Sequence, residues 1–247
     1  MLDNRELFTQ KTDDYAKFRP AYPDAAAAWL KAKTTGEFVL DVGAGTGIFT
    51  RILSKFFPQV AAVEPNAAMR EKFQMFLPHI RCWHSSGEAT GLPDDSVDLI
   101  TVAQAFHWLD ADLFKKEAMR ILRSAGQVAI VWNTSLQCDF TQERDLVCRK
   151  YCPRFRSGHA GKRSVEEGDE FLRNEYFKSV EVVSFSNPFA MDLQTFAGNM
   201  RSRSYALAPD DCQYSDFTAE LQAVFEKYAV NNIVTEPQET KIYLGKF

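Results

Sequence analysis

Long apolar runs are missing from this 247-residue chain. None approaches the roughly 20 residues a bilayer crossing requires, and the opening MLDNRELFTQKTDD has no apolar core of the kind a secretory signal needs. A soluble, cytoplasmic protein is expected. Excess positive charge is missing too: 29 Lys and Arg against 33 Asp and Glu give a formal net charge of −4. The chain as a whole therefore does not attract nucleic acid or an acidic membrane surface, and any anionic partner must be held locally. Cysteine is sparse and odd in number. Cys82, Cys138, Cys148, Cys152 and Cys212 suit reduced, buried or half-buried thiols better than a disulfide framework. Cys148 and Cys152 stand near His159 but lack a fourth ligand at zinc-site spacing, so no metal is expected.

What remains is ordinary globular composition, 45% hydrophobic and 25% charged, enough for one large core with a substantial insertion. Phe38–Val42 is a short apolar run ending at glycine, which fits a strand buried on both faces. Ile48, Phe49, Ile52, Leu53, Phe56 and Phe57 follow at helical spacing, stopping before Pro58. The alternation repeats. Val60–Val63 reads as a strand, Ala67–Leu77 as a helix, and Ile80–His84 and Val97–Ala103 as further strands. Asp110–Arg123 reads as a helix with Asp110 as N-cap and Gly126 as its stop, and Gln127–Trp132 as a fifth strand. Strands alternating with helices over 38–132 predict an α/β protein with a doubly wound parallel sheet. Beyond Asn133 the pattern is less regular: a strand at Val180–Phe185, helices at Leu193–Tyr205 and Thr218–Tyr228, and a closing strand at Lys241–Phe247 are expected.

The stretch FVLDVGAGTGIFTRIL carries the chemistry. Glycines at 43, 45 and 47 let backbone approach a ligand closely, and the helix behind them offers unpaired N–H groups. That is a cofactor site at the carboxyl end of the first strand. Glu64, about 20 residues beyond Gly43, ends the second strand, where an acid accepts hydrogen bonds from the hydroxyls of an adenosine ribose. Two cofactor classes share this arrangement. The dinucleotide fingerprint G-x-G-x-x-G would need glycine where Ile48 stands, and the Tyr-x-x-x-Lys of one nicotinamide branch is missing.

The pattern D-x-G-x-G-x-G instead resembles motif I of the class I S-adenosylmethionine-dependent methyltransferases. Ser85–Pro93 followed by Asp94–Ile100 is similar to that family's adenine-contacting loop and fourth strand. Val102–Trp108, with Phe8, Tyr15, Arg19, Pro20, Tyr22 and Pro23, resembles its small-molecule branch that includes trans-aconitate methyltransferase-like proteins. The resemblance implies a Rossmann-like seven-stranded sheet, mostly parallel with an antiparallel closing strand, plus helical lid insertions. It implies a single domain over 1–247, with an N-terminal cap at 1–35, a cofactor core at 36–132, and lid or substrate insertions at 133–175 and 190–235.

It also implies site roles. Tyr15 and Arg19 would meet the methionine carboxylate, the alternative being an ordinary capping helix with a surface arginine. Asp41, Gly43, Ala44, Gly45, Glu64, Pro65, Met69, Ser86, Gly87, Glu88 and Gln104 would bind S-adenosyl-L-methionine, with Glu64 at the ribose, Ser86 and Gly87 in the adenine-contacting loop and Gln104 beside the methionine moiety. His107 is the candidate general base, or else simply part of the pocket wall with Trp108. Arg201, Arg203, Ser204 and Tyr205 resemble a substrate-side segment. With the basic stretch 149–163 they either hold a small anionic substrate or form a solvated lid surface.

Methyl transfer to a small molecule, with a carboxylic acid among the candidates, is the leading reading. A non-catalytic binding protein and a nucleic-acid methyltransferase are the alternatives. The second is disfavoured by the acidic chain and by Gln104-Ala105-Phe106-His107, which stands where an amine-methylating N-P-P-[YF] would be.

Overall fold

The structure is a computed structural model that describes residues 11–155 and 165–247; Phe8, Arg156, His159, Lys162 and Arg163 lie outside the described residues. Two helices come first, α1 (Thr12–Phe18) and α2 (Asp24–Lys33). The alternating half follows as β1 (Phe38–Val42), α3 (Ile48–Leu53), β2 (Gln59–Val63), α4 (Ala67–Phe76), β3 (Cys82–Trp83), β4 (Val97–Ala103), α5 (Ala111–Ile121) and β5 (Leu122–Ser135). The rest comprises α6 (Asp139–Tyr151), α7 (Val165–Phe171), a π-helical turn at Leu172–Tyr176, β6 (Ser179–Ser186), β7 (Phe189–Met191), α8 (Leu193–Arg201), α9 (Tyr214–Tyr228), β8 (Val234–Glu236) and β9 (Gln238–Lys246). Among the described residues no helix is long and apolar enough to cross a membrane.

Seven strands form one sheet in the order β3-β2-β1-β4-β5-β9-β6, with β9 antiparallel to both of its neighbours and the other pairs parallel. The chain runs outward from β1 to β3 and then returns to lay β4 on the other side of β1. The point where strand order reverses therefore lies between β1 and β4, where a crevice opens at the carboxyl ends.

Period-two alternation sorts β1 onto two cores. Leu40 and Val42 join Ile100, Val128 and Ile130 under α5, whose Phe114, Ala118 and Ile121 are spaced to face the sheet together. Val39 packs on the opposite face with Leu99, Ala129, the alanines of α2 and Phe49, Ile52 and Leu53 of α3. Asp41 shares that second face by register. Asp110 caps α5 as expected, accepting from the amides of Asp112 and Leu113. Gly126 is not the helix stop: α5 ends at Ile121, Leu122 already pairs with Val97, and residues 123–126 bulge out before Leu99 pairs with Gln127.

A separate apolar core lies beyond the sheet. It gathers Phe140, Val147 and Cys148 of α6, Phe196 and Met200 of α8, Phe217, Leu221 and Phe225 of α9, and Met191 and Val234 of the small β7-β8 pair. Cys152 is buried with them, and burial pushes the Cys148 thiol up to about 12. Residues 165–177 do not join this unit; Leu172, Tyr176 and Phe177 pack on the sheet instead. A buried ion group closes the unit against the sheet. Arg144 of α6 lies 2.8 Å from Asp145 and 2.8 Å from Glu236, and Glu236 also accepts from Ser135 at the end of β5.

α1 is strapped to α8. Asn199 donates to the Phe18 carbonyl at 2.9 Å, and Arg201 holds Asp14 through two bonds of 2.8 and 3.1 Å. The helices approach closely because residue 198 is glycine: a Cβ there would lie 2.1 Å from the Phe18 ring. Gly198→Ala is expected to lower stability by about 1–3 kcal/mol through this overpacking, measured by urea denaturation; an unchanged midpoint would show that α1 yields freely.

Candidate functional site

The turn after β1 is built by hydrogen bonds to its neighbour strand. The amides of Gly43 and Ala44 both donate to the Val63 carbonyl at the end of β2, at 2.9 and 3.2 Å, and Gly47 closes back on Ala44. Gly43, Gly45 and Gly47 all have positive φ, at 66°, 57° and 85°. Gly45 is the informative one. A Cβ there would meet only Tyr15, 3.9 Å away, so protein packing does not require its bareness and the space above it faces the crevice.

Glu64 ties two loops together. One carboxylate oxygen accepts from the Gly45 amide at 2.9 Å and the other from the Asn66 amide at 2.8 Å. Arg70 donates to the backbone carbonyls of Glu64 and Pro65, so it acts on the carboxylate through its charge and not through a hydrogen bond. Burial raises the Glu64 pKa, and the two amides oppose that shift. Each oxygen retains a lone pair for a further donor. Asn66 fixes the loop by capping α4, its side chain accepting from the Met69 amide at 3.0 Å.

On the far side, Ser86, Gly87 and Glu88 form a tight loop under Leu109. Glu88 accepts from the Asp110 amide at 3.0 Å through one oxygen. Its other oxygen is buried without a hydrogen-bond partner among the described residues. Gln104, just past β4, is held at φ 55° by its own amide on Val131 and its side chain on the Asn133 carbonyl, at 2.9 and 2.8 Å.

These pieces enclose a cavity of about 110 Å³. Gly43 and Gly45 line it with Glu64, Pro65, Asn66 and Met69; Ser86, Gly87, Glu88 and Leu109 line it as well, and so do Gln104, Trp108 and Tyr15. A second cavity of about 40 Å³ adjoins it, sharing Tyr15, Gly43, Ala103 and Gln104 and adding Arg19, Tyr22, Asp41, Ala44 and Asn133. All the expected cofactor residues thus come together around one crevice.

Two of them are held differently from a simple ligand contact. Asp41 is 1% exposed and accepts from Thr50 at 2.5 Å and Thr101 at 2.7 Å, so both its oxygens serve the protein beneath the turn. Arg19 lies over the Tyr15 ring and donates to Ser202 Oγ and to the Ser202 carbonyl, at 2.8 and 3.1 Å. Burial, then Arg203, pushes its pKa down to about 10.

The substrate-side expectations divide. Trp108 lines the first cavity. His107 lines neither cavity, its ring stacking on Trp132 at 5.4 Å and tilting against Trp108 at 4.6 Å. Arg201 is committed to Asp14. Tyr205 packs edge-on against Phe155 in the separate core, and burial lifts its phenol above the ordinary range.

Asn133 was not expected. Its side chain donates to the Ala21 carbonyl at 3.2 Å and accepts from Thr240 at 2.5 Å and Asn187 at 3.3 Å. The signal available was its place: the first polar residue beyond the buried run of a strand beside the switch point.

Comparison with known proteins fits this geometry. Residues 40–130 match the family model described as a methyltransferase domain. An uncharacterised methyltransferase-like protein of Schizosaccharomyces pombe is 37% identical over 144 residues, 54% of this chain and 55% of that protein. A Saccharomyces cerevisiae protein described as a probable S-adenosylmethionine-dependent methyltransferase is 30% identical over 190 residues, 70% of this chain and 65% of its own. A solved candidate type II methyltransferase from Anaeromyxobacter dehalogenans superposes with a TM-score of 0.68 at 25% identity, covering 93% of this chain and 98% of its own. The chain spans about half the length of curated relatives such as the first of these. Residues 40–130 are thus similar to a methyltransferase domain, and the chain shares the seven-stranded Rossmann-like fold of that structure.

Burial pushes Asp41 up to about 6 against the two threonine bonds, whereas an unfolded aspartate titrates near ~3.9. A raised folded pKa means that stability is fully present below about pH 4 and is lost as pH rises through about 6. Asp41→Asn removes that loss. Its stability relative to the parent protein is expected to improve by up to about 3 kcal/mol between pH 4 and pH 7, read from denaturation curves across that range; a difference independent of pH would contradict it.

Proposed function

We propose that the chain is an S-adenosylmethionine-dependent methyltransferase acting on a small acid. The observation that carries this is Glu64 bridging the Gly45 and Asn66 amides while lining the crevice, which leaves each carboxylate oxygen a lone pair to accept from a ribose hydroxyl. The residues present fit the group. Gly45 leaves open space where backbone must approach a tail, and Glu88 has a buried, unpartnered acceptor oxygen for an exocyclic amine. Arg19 at the second cavity offers a guanidinium to the amino-acid carboxylate. Pro65 and Met69 supply apolar wall.

When bound, S-adenosylmethionine supplies a methyl group on a sulfonium, an activated leaving group that departs as a neutral thioether. The protein's part is alignment. Gln104, held at positive φ, and Trp108 fix the wall past β4 against which an acceptor is oriented. A carboxylate acceptor is ionised at neutral pH, so no proton need be removed. This suits a site in which His107 stacks on Trp132 and lines neither cavity.

Methyl transfer from labelled cofactor is to be measured over small carboxylic acids, phenols and RNA. Label is expected in the acids; label in RNA alone, or in nothing, would contradict the reading. Glu64→Gln places an N–H donor against one of the two amides and removes the charge that holds the ribose. It is expected to weaken S-adenosylhomocysteine by about 1–3 kcal/mol in calorimetry; unchanged affinity would mean that Glu64 only joins the loops.

A further inference from the structure

The sheet ends in two unlike edges. On one side β3 is two residues long, and Arg81 lies over its Trp83 ring. On the other, β6 runs for eight residues, SVEVVSFS, and among the described residues it pairs with β9 and with no other strand. Long edges are ordinarily blunted by lysine, proline or an inward charge. β6 has no lysine and no proline, and its single charge, Glu181, is held by Lys33 at 2.7 and 2.9 Å. Val180 and Val182 are half-buried against the core under α5. Val183 and Phe185 are half-buried against the core that includes α2, where Phe185 meets Trp29. Apolar side chains on both faces thus stop at an unpaired row of backbone groups.

The ladder with β9 decides which of those groups face outward. Ser186 is opposite Glu239, so Asn187 is opposite Gln238, and its amide donates to the Gln238 carbonyl at 2.8 Å. Backbone polarity alternates along an antiparallel strand. Glu181, Val183 and Phe185 therefore turn N–H and C=O toward β9, and Val180, Val182, Ser184 and Ser186 turn theirs away. An antiparallel partner must match outward residues with outward residues. A second β6 related by a twofold axis through Val183 does so for all four: Val182 faces Ser184, and Val180 faces Ser186. In that register Glu181 faces Phe185, and the two carboxylates are not opposed. The neighbouring registers fail. Centring on Glu181 would set carboxylate against carboxylate, and centring on Ser184 would bring Pro188, which has no N–H, opposite Val180. Centring on Val182 would bring Ser186 to Lys178, whose amide is already bonded to Lys246.

We propose that β6 is a dimerisation edge, taken by the β6 of a second copy of this chain in antiparallel pairing about Val183, so that two seven-stranded sheets become one. A twofold interface needs a patch that complements itself. The matching of outward groups, the placement of the one charge and the apolar side chains on both faces supply that complementarity. Pairing continues each core across the junction and covers the half-exposed Val182, Val183 and Phe185. β5 and β9 separate β6 from β4, so the pairing itself does not touch the crevice.

Analytical ultracentrifugation of the full chain over a concentration series is expected to show a dimer. Ser184→Pro removes an outward N–H and none that faces β9, so each monomer keeps its own sheet. Because the bond is lost on both copies, the dimer dissociation constant should rise about tenfold or more, with the far-ultraviolet circular dichroism of the parent retained. If Ser184→Pro does not fold, Val183→Cys in a Cys212→Ser background, which removes the exposed thiol, reads the register instead. Its two thiols meet at the axis, and oxidation by diamide should give a covalent dimer that a reductant reverses, whereas Val180→Cys, opposite Ser186, should not cross-link. A parent that stays monomeric throughout, including one whose β6 pairs with another protein's strand, overturns the proposal. So does a dimer that Ser184→Pro leaves equally tight, or cross-linking in Val180→Cys and not in Val183→Cys.

Discussion

The bridge from the Glu64 carboxylate to the Gly45 and Asn66 amides is the constraint on which the site depends. It joins the loops that end β1 and β2, two strands already in register along Phe38–Val42 and Gln59–Val63. A buried carboxylate is stable there because two N–H groups point at it. The same bonds hold the glycine turn open. Without that anchor, the backbone at Gly45, free at φ 57° to adopt other shapes, would have no reason to keep its amide facing the crevice.

Around this anchor the molecule is assembled from parts with separate cores. The sheet and its helices supply the rigid floor, and α6, α8 and α9 pack on their own apolar cluster. The two are joined by polar contacts, Ser135 of β5 with Glu236 and, through the α1 segment, Asn199 with Phe18 and Arg19 with Ser202. α1 belongs physically to both, since Tyr15 and Arg19 line the crevice while Phe18 packs against Gly198. Asn133 adds a second tie, joining Ala21, Thr240 and Asn187 while its carbonyl holds Gln104.

How far the sequence could be read follows from the range of the interactions involved. The β1-turn-α3 unit and Glu64 were legible because local periodicity and spacing encode them. Val97–Ala103 coincides with β4 for the same reason, as a mostly buried apolar run. Gly126 misled because its usual role at helix ends was outweighed by strand pairing at Leu122, a contact with the distant Val97. β7 and β8 are three-residue strands with no periodic signal, and they exist only through each other. Arg201 and Arg203 could not be told apart in sequence. The helix ends at Arg201 rather than continuing to Tyr205, which turns one arginine to Asp14 and leaves the other's Nε buried. Asn133 was marked only by its place just past the buried run of β5, because its partners Ala21, Asn187 and Thr240 come from three remote segments.

The most direct test of the central claim is a crystal structure of the protein with S-adenosylhomocysteine. The account predicts the ribose hydroxyls within about 2.6–3.2 Å of the Glu64 carboxylate, the amino-acid tail above Gly45, and the Gly45 and Asn66 amides still bonded to Glu64. A ligand bound away from Glu64, or a Glu64 side chain swung off both amides to an ion pair with Arg70, would contradict it.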